Sequence, residues 1–465
     1  MSCSQADSDA REGWLRATLI DDNRVDLERS PDLVGQKFQK MASNPYLYFR
    51  GTNGQFYRDM TGDFAPAYPT MLDGEAHDIL LVGDPHPENV GTYRPPSDEL
   101  VVEFNDFDAS IHGPFHYDVR RGALGIWTAA VAIGGDAFPA EQRRALVRRF
   151  VSAYVAEVRR LDDGGQPAPI TRTTGAGTVI DDLFRRARRD GDVREALDEY
   201  TRLDGDSRQM FFGTGEAPEI DGVIGDEVRE VDEAAAAHVR QLVRQYSTTV
   251  VAPGARDAGF WAVKGISRRL GAGVSSYPVL RFYALIEGPT RDLDDDVLLE
   301  IKEVRDPALL PALPLLPRDF FENNGQRGVW AQRTLHLQKD SDPLLGWAGS
   351  SSQAFRVRQR TKYQKNVGVD RMTEKIGEGE WATDIVFEFA DLMGQLLART
   401  HFQSTTRTGA SAGPLIAASV SDAFVDETVD TTLEYGTQML TDYESLREML
   451  DEVGPRLGWP PHMRQ

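Results

Sequence analysis

The sequence predicts an α+β fold, because strand-like and helix-like patterns occupy different parts of the chain. Residues 261–266, 279–286 and 297–304 each read as a strand, and glycine-rich or acidic turns separate them. Residues 140–161 place apolar side chains at helical spacing, and residues 380–403 form a second long amphipathic pattern. Strands grouped apart from the long helices are typical of the α+β class.

Length and charge limit the classes of protein to which this chain can belong. Its 465 residues exceed what one hydrophobic core usually organises, so we expect two or three structural units. A formal net charge of −21 disfavours general binding to nucleic acid or to an anionic membrane, and no apolar run is long enough to span a bilayer. The single cysteine, Cys3, excludes an internal disulfide and a cysteine zinc site, and residues 1–11 do not resemble a secretion signal. We therefore expect a cytoplasmic protein that binds neither nucleic acid nor membrane, and the sequence leaves its oligomeric state open.

The remaining elements follow from local patterns. An apolar, alanine-rich segment at 122–133 predicts a buried helix that begins near Asp118, and residues 326–338 predict a further helix. Residues 162–255 mix acidic, glycine-rich loops with helical stretches, which indicates an insertion. Basic clusters such as Arg356-Val357-Arg358-Gln359-Arg360 are expected to be solvated faces, although one of them could serve a phosphate.

The densest group of chemically useful side chains lies between Leu80 and Asp118. Its first turn, Gly83-Asp84-Pro85-His86-Pro87-Glu88-Asn89, follows an apolar run and carries three candidate catalytic residues, Asp84, His86 and Asn89. Phosphoryl transfer requires a carboxylate near the attacking hydroxyl and an amide oxygen on the metal a short loop away. The alternative is that Asp84 only caps a turn and Asn89 only bonds to backbone. His86 could contact substrate or order the loop by bonding to backbone.

A second set of carboxylates follows the apolar segment Val101-Val102-Glu103-Phe104. Asp106 and Asp108 leave the end of this segment, and oxygen ligands of this kind suit Mg²⁺. We predict Asn89, Asp106 and Asp108 as metal ligands, with the choice between the two aspartates left open. If the chain turns at Phe107, Asp106 faces the metal and Asp108 bonds mainly to the backbone of the 110–113 turn. Asp118 opens the apolar helix, where a carboxylate caps free amides and supports the loop.

A candidate phosphate-binding segment lies in the strand-rich part of the chain. Gly271, Gly273 and Ser275 belong to a turn between two predicted strands, where backbone amides can approach phosphates. Most glycine turns of this kind are only hairpin turns. Lys302 strengthens the interpretation, because a lysine between apolar strand residues requires an anionic partner. Lys264 is the competing choice for the nucleotide lysine.

These motifs resemble the DUF2252 family. The similar segments are Gly83-Asp84-x-His86-x-x-Asn89, Asn105-Asp106-Phe107-Asp108 and Gly113-Pro114-Phe115-x-x-Asp118, with further matches between about residues 35 and 405. The same block also resembles the catalytic loop of aminoglycoside and choline phosphotransferases, which have a protein-kinase-like fold. That resemblance implies that Asp84 is the base, that Asn89 and Asp106 bind Mg²⁺, that Asp118 supports the loop, and that ATP is the cofactor.

The order of the motifs differs from that of these phosphotransferases and implies a circular permutation. In kinase-like folds a glycine hairpin, a lysine strand, a helix and a helix ending in Leu-Ala-x-x-His precede the catalytic loop, whereas here they follow it. The resemblance thus implies a circularly permuted, two-lobed kinase-like fold with a helical insertion. It divides the chain into the catalytic-loop part of the large lobe (1–160), a helical insertion or cap (161–255), a small β-rich nucleotide-binding lobe (256–375) and a helical return to the large lobe (376–465).

Three departures qualify the resemblance. Val82 stands where these enzymes often have a histidine. Asn105 replaces the apolar residue that usually precedes the metal-binding aspartate, so that Asp108 could share or take the role of Asp106. A kinase-like lysine usually pairs with a glutamate on the next helix, but here Glu322 only precedes that helix and Gln332 lies within it.

The expected function is ATP- and magnesium-dependent phosphate transfer to a hydroxyl of a small molecule. One alternative is a nucleotide-binding pseudokinase that acts as a scaffold, which the missing glutamate favours. Another is a metal-dependent phosphoesterase built on Asp84-x-His86 with Asp106 and Asp108. The acids of 162–255 would suit a cationic acceptor, or they could simply keep the protein soluble.

Overall fold

The computed structural model describes residues 5–65, 78–95, 99–191, 193–213, 219–220, 223–224, 227–251, 256–312, 321–339, 342–361 and 363–460. Cys3 lies outside these residues. The helices within them are α1 (Gln5–Asp22), α2 (Arg24–Arg29), α3 (Pro31–Ala42), α4 (Pro45–Gly51), α5 (Asn53–Thr61), α6 (Phe115–Ile133), α7 (Ala140–Asp162), α8 (Thr178–Arg189), α9 (Val193–Tyr200), α10 (Glu233–Tyr246), α11 (Leu309–Ala312), α12 (Asn324–Leu335), α13 (Val369–Gly377), α14 (Asp384–Phe402), α15 (Ala412–Ser419) and α16 (Asp422–Val453).

The strands are mostly short and form several small sheets and one large one. In chain order they are β1 (Ile79–Leu80), β2 (Val90–Tyr93), β3 (Val101–Phe104), β4 (His112–Gly113), β5 (Ile170–Thr171), β6 (Thr201–Asp204), β7 (Ser207–Met210), β8 (Glu219–Ile220), β9 (Val223–Ile224), β10 (Val228–Arg229), β11 (Val263–Arg269), β12 (Arg281–Ile286), β13 (Val297–Val304), β14 (Gly346–Gly349) and β15 (Ala354–Gln359). Together with the helices they confirm the predicted α+β class.

The large sheet is antiparallel, with the strand order β10-β11-β12-β13-β15-β14. Its two faces differ because side chains alternate along each strand. Leu299 and Ile301 of β13 pack with Phe355 of β15 and with α10 in one apolar cluster. Glu300 and Lys302 of β13 face the other way and line a cleft.

A helical body forms the opposite side of the cleft. Helices α6, α7, α14 and α16 pack against one another around a large apolar core, which also holds the short strands β1 to β4 and their loops. Helix α14 lies against α7 so closely that a Cβ on Gly394 would overlap the carbonyl group of Phe150. Because the loops after β1 and β3 emerge from this core, their polar side chains reach the cleft from a rigid base.

The first and last long helices of the described chain are neighbours. Arg11 of α1 donates hydrogen bonds to Asp442 of α16 at 3.0 and 2.5 Å and also to Asp59 of α5 at 2.7 and 2.9 Å. Both carboxylates are buried, so the arginine joins three helices that are far apart in sequence.

The longest sequence patterns predict their elements well. The predicted strand at 297–304 coincides with β13, and the helices predicted at 140–161 and 380–403 correspond to α7 and α14. The described part of 161–255, predicted as a helical insertion or cap, contains the helices α8, α9 and α10 and also the short strands β5 to β10, which the sequence did not predict. Hairpin β6–β7 is largely solvent-exposed and polar, so it carries no apolar alternation that the sequence could reveal. The domain boundaries themselves stay a prediction.

Among the helices that the structure describes, none combines the length and apolarity needed to cross a membrane.

Candidate functional site

A cavity of about 820 Å³ lies between the large sheet and the helical body. Nearly all the predicted site residues line it, namely Asp84, His86, Asn89, Asp106, Asp108, Gly273, Ser275 and Lys302. Gly271 and Lys264 are not among its lining residues. The competing lysine, Lys264, instead forms an ion pair with Asp296 at 2.7 Å, which leaves Lys302 as the better candidate.

The loop that carries Asp84 requires a glycine immediately before it. Gly83 has a φ of +88°, and a Cβ there would overlap the carbonyl oxygen of Ala109. The carbonyl oxygen of Gly83 accepts hydrogen bonds from the Tyr57 hydroxyl at 2.6 Å and from the Asn53 amide at 3.3 Å. This close approach brings the loop after β1 against the loop after β3, and with them Asp84 and Asp106.

Asp118 supports this loop, as predicted. Its fully buried carboxylate accepts hydrogen bonds from the backbone amides of Val82 at 2.7 Å and Gly83 at 3.0 Å. His401, at the end of α14, contacts the same carboxylate through Nε2 at 3.1 Å, and its Nδ1 lies 2.8 Å from the Tyr154 hydroxyl. The histidine of the Leu-Ala-x-x-His motif is therefore part of the support of the loop.

Replacing Asp118 with asparagine is expected to destabilise the protein by about 2–4 kcal/mol, because a buried charge that accepts three hydrogen bonds is lost. Asparagine cannot accept from both amides and from His401 in the same way. The free energy of unfolding from denaturant titration measures the effect. The matched control is Asp430→Asn, which removes an exposed carboxylate paired with Arg144 and should change stability by no more than about 0.5 kcal/mol. An equal effect of both substitutions would contradict the supporting role.

Asp84 is held in position by a buried arginine that the sequence analysis missed. The Nε of Arg121, which is fully buried on α6, donates to Asp84 Oδ1 at 2.8 Å. The guanidinium group of Arg121 also stacks 3.8 Å from the centre of the Phe49 ring and donates to the Phe49 carbonyl. Burial raises the pKa of the Asp84 carboxyl above its ordinary value, and the charge of Arg121 opposes this shift. The sequence contained one signal of such a buried arginine. Arg120 and Arg121 lie inside an apolar helix, where charged side chains require partners.

His86 and Asn89 complete the turn after Asp84. The His86 ring is almost fully buried, and it packs edge-on against Tyr46 and Phe49. Burial lowers the pKa of His86 well below its ordinary value, so the ring is neutral and acts mainly in packing. The Nδ2 of Asn89 donates to the Asp84 carbonyl at 2.8 Å, which leaves its Oδ1 as the atom that can bind a cation.

Asp106 and Asp108 both contact Lys302. The Nζ of Lys302 lies 3.1 Å from Asp106 Oδ2 and 2.6 Å from Asp108 Oδ2. Phe107 between them is buried and packs against His336, as predicted for a turn at this position. The expectation that Asp108 bonds mainly to backbone is wrong, because its carboxylate instead lies between Lys302 and Arg356.

Charges around Asp106 keep it ionised. Burial alone would raise the pKa of Asp106, but Lys302, Arg356 and Arg358 outweigh burial and hold the pKa well below its usual range. The side chain retains 33% exposure toward the cleft, compared with 20% for Asp108. Asp106 is therefore the more accessible of the two anions for a ligand in the cleft.

The glycine turn lies over α4 rather than forming a tight hairpin. Gly271 and Gly273 have φ values of +66° and +89°, which side chains rarely adopt. The hydroxyl of Ser275 donates to the carbonyl of Arg50 on α4 and so attaches the turn to the helical body. Gly273 and Ser275 face the cleft, whereas Gly271 is set back from it.

The predicted cap contributes little to the cleft. Among the described residues of 161–255, only Tyr200 lines the cavity. The rim beside Asp84 is formed instead by α1, α2 and α5, with Asp22, Asn53 and Arg58. Within this region, α10 packs its apolar face onto the large sheet and α8 packs onto the helical body.

The oxygen atoms available as ligands fit a magnesium ion that is bound partly by phosphate oxygens. They do not fit a metal ion whose ligands all come from the protein. In the part of the chain that the structure describes, no group of three or more His, Cys, Asp or Glu side chains could hold a metal ion. Magnesium needs only one or two protein carboxylates when water and phosphate oxygens supply the other ligands. Asp106 and the Asn89 oxygen, which line the same cleft, meet this requirement.

Comparison with protein families places the chain. The family described as an uncharacterized protein conserved in bacteria, DUF2252, matches residues 29–449. The chain belongs to the DUF2252 family. Neither the curated proteins nor the solved structures compared with this DUF2252 protein gave a match.

Arg356 is a second site residue of this DUF2252 protein that sequence analysis missed. It belongs to the basic cluster 356–360, for which a solvated face was expected, but it is 2% exposed and lies 3.3 Å from Asp108. Alternation with the apolar residues Phe355 and Val357 was the available signal, because it places the arginines together on one face of a strand.

Proposed function

We propose that this DUF2252 protein is an ATP- and magnesium-dependent phosphotransferase with a circularly permuted, two-lobed kinase-like fold that acts on a hydroxyl of a small molecule. One observation carries the proposal. Four predicted residues line a single cleft, namely the base Asp84, the amide Asn89, the carboxylate Asp106 and the lysine Lys302. They come from loops and strands that are separated by up to about two hundred residues.

The order of elements supports the permutation. A glycine turn between β11 and β12, the lysine strand β13, helix α12 and then α14 with its terminal histidine follow one another as in kinase-like chains. A permutation also requires that the two ends of the fold be close, and the contact of Arg11 with Asp442 joins α1 to α16.

The carboxylate that a kinase-like lysine needs has a different source here. Helix α12 carries no acid, and Lys302 pairs with Asp108 and Asp106 instead. Asp108 can thus pair with Lys302 while Asp106 binds a metal ion. Pairing with the lysine and binding the metal then remain tasks of different residues, although the partner of the lysine comes from another segment of the chain.

In the proposed reaction, each residue has a defined task. Asp84, oriented by Arg121, accepts the proton of the acceptor hydroxyl, and its raised pKa makes it a stronger base. Lys302 binds phosphate oxygens of the nucleotide, and the turn with Gly273 and Ser275 covers them. Asn89 and Asp106 would hold Mg²⁺, which neutralises the charge that develops on the transferred phosphate.

The proposal predicts that ATP with magnesium stabilises the folded protein by about 2.7 kcal/mol at a hundredfold excess over its dissociation constant. The measurement is a thermal shift titration with ATP, with magnesium alone and with both. Lys302→Met should lose most of the shift, whereas Arg291→Gln, which removes an exposed cation from the β12–β13 turn, should keep it. Absence of a shift at millimolar nucleotide would contradict the proposal.

A nucleotide-binding pseudokinase is the second candidate, and one observation favours it. Both Asp106 and Asp108 form ion pairs with Lys302, so a metal ion and a nucleotide must compete with these pairs. This candidate predicts ATP binding without turnover. The phosphoesterase alternative gains no support, because the described residues lack a cluster of ligands for two metals.

A further inference from the structure

The sheet wall of the cleft places positive charges side by side. Arg281, Lys302 and Arg356 are register partners on the neighbouring strands β12, β13 and β15. In the next row of the sheet, Glu300 stands between Tyr283 and Arg358. Like charges directly opposite each other on adjacent strands destabilise a sheet unless counter-charges lie among them.

The counter-charges on this wall are too few. On this stretch of the wall, the four cations Arg281, Lys302, Arg356 and Arg358 form ion pairs with three carboxylates, Glu300, Asp106 and Asp108. Other lining carboxylates, such as Asp84 and Glu303, are paired with other arginines. Arg360 also lines the wall, and its positive charge acts on Glu300 as well. Asp342 interacts with Arg356 and Arg358 but does not line the cleft.

The field at Glu300 shows the same imbalance. Its carboxylate lies 3.7 Å from Arg281 and 3.8 Å from Arg358. Burial alone would raise the pKa of Glu300, yet the surrounding arginines hold it well below its usual range. One carboxylate is thus shared between several guanidinium groups.

Several donors on this wall lack hydrogen-bond acceptors. Within the described residues, Nε and Nη1 of Arg356, Nε of Arg358 and the buried hydroxyl of Tyr93 form no hydrogen bond, although Nε of Arg356 lies 3.3 Å from Asp108 Oδ1. Both carboxylate oxygens of Asp108 and one of Glu300 also lack hydrogen bonds, so the carboxylates of the wall do not satisfy these donors. Arg356 and Tyr93 are 2% and 1% exposed, so water does not readily satisfy them. Buried donors without acceptors are costly, and native structures contain few of them.

We infer that Arg281, Lys302, Arg356 and Arg358 form a phosphate-binding subsite on the sheet wall of the cleft. The inference deepens the proposed function and rests on it for the source of the phosphate, which is either the nucleotide or a second, phosphorylated substrate. Phosphate oxygens supply the missing acceptors and the missing negative charge together, and arginine binds them in a two-pronged geometry. A nucleobase is a poorer occupant, because such ligands usually lie between apolar and aromatic side chains with few polar contacts.

The test is calorimetric titration with inorganic tripolyphosphate, without magnesium and at fixed ionic strength. Arg358→Gln should weaken binding about tenfold, which corresponds to the loss of one charge-assisted hydrogen bond. Glu300→Gln should have the opposite effect and tighten binding several-fold, because it removes a negative charge that competes with phosphate. Arg291→Gln, in the solvent-exposed turn between β12 and β13, should bind like the wild type.

The two substitutions are expected to change the affinity for tripolyphosphate in opposite directions, and this makes the inference falsifiable. A purely structural role for these residues predicts that Arg358→Gln and Glu300→Gln both weaken binding or both leave it unchanged, and either result would overturn the subsite. If Arg358→Gln fails to fold, Arg281→Gln at the edge of the row replaces it, with the same expected loss. Circular dichroism melting identifies variants that do not fold.

Further titrations separate the two sources of phosphate. If Arg358→Gln weakens ATP and tripolyphosphate by the same factor, and adenosine does not bind, the subsite holds the phosphates of the nucleotide itself. If ATP binding is unchanged and inorganic phosphate still binds to the ATP-saturated protein, the subsite belongs to a phosphorylated second substrate. Failure of the proposed function would appear as missing magnesium-dependent ATP binding, which the tripolyphosphate titration does not require.

Discussion

Asp84→Asn is expected to reduce phosphate transfer about a thousandfold while the folded variant still binds ATP. A positioned general base contributes about 10²–10⁴ to the rate, and asparagine cannot accept the proton. Its Oδ1 can still accept the hydrogen bond from Arg121, so the loop should keep its conformation. The measurement is steady-state turnover of ATP with a panel of hydroxyl acceptors, alongside a thermal shift with ATP and magnesium.

The control for this substitution is Asp136→Asn, which alters an exposed aspartate in the loop between α6 and α7 and should leave turnover unchanged. If Asp84→Asn turns over ATP like the wild type, Asp84 is not the base. If the wild type itself binds ATP without turnover and Asp84→Asn preserves cellular function, the pseudokinase candidate replaces the enzyme.

The second large effect is expected at Asp106 and should differ from that at Asp108. Asp106→Ala should abolish magnesium-dependent nucleotide binding, because it removes the more exposed carboxylate beside Lys302. Asp108→Ala should retain part of the binding, since Asp108 lies between Lys302 and Arg356 and mainly positions these cations. Magnesium accepts only one or two protein carboxylates, so the two aspartates need not be equivalent.

A titration of magnesium at fixed ATP, followed by thermal shift, compares the two variants. Each variant loses one carboxylate next to the same lysine, so each serves as the control for the other. The reverse result, with Asp108→Ala inactive and Asp106→Ala active, would show that the alignment of this block with kinase-like chains is displaced by two residues.

The sequence predicts elements that have strong, regular patterns. β13 and α7 lie where apolar periodicity places them, because their buried faces leave a clear repeat. The grouping of Asp84, Asn89 and Asp106 was predictable from the way each follows an apolar segment and precedes a turn. The support of this loop by Asp118 was predictable from its place at the start of a helix.

The parts that the sequence could not predict depend on long-range packing. Arg121 and Arg356 carry charges that propensity assigns to the surface, and only the fold shows that they pair with Asp84 and Asp108 of the cleft. The pairing of Lys302 with Asp108 replaces a partner that was sought on the following helix. Short polar strands such as β6 and β7 leave no apolar pattern, which explains why the sequence did not predict the strands within 161–255.

The contact between His401 and Asp118 has a consequence for synthesis of the protein. The two residues are 283 positions apart, so at translation rates of about 5–20 residues per second the ribosome needs roughly 15 to 60 s to reach the histidine. Lys302 also emerges long after Asp106. During that interval the growing chain contains the loop with Asp84 but lacks both His401, which supports the loop, and Lys302 of the sheet wall. The candidate site is therefore one of the last parts of the molecule to form, and a chain that ends before α14 is complete would lack it.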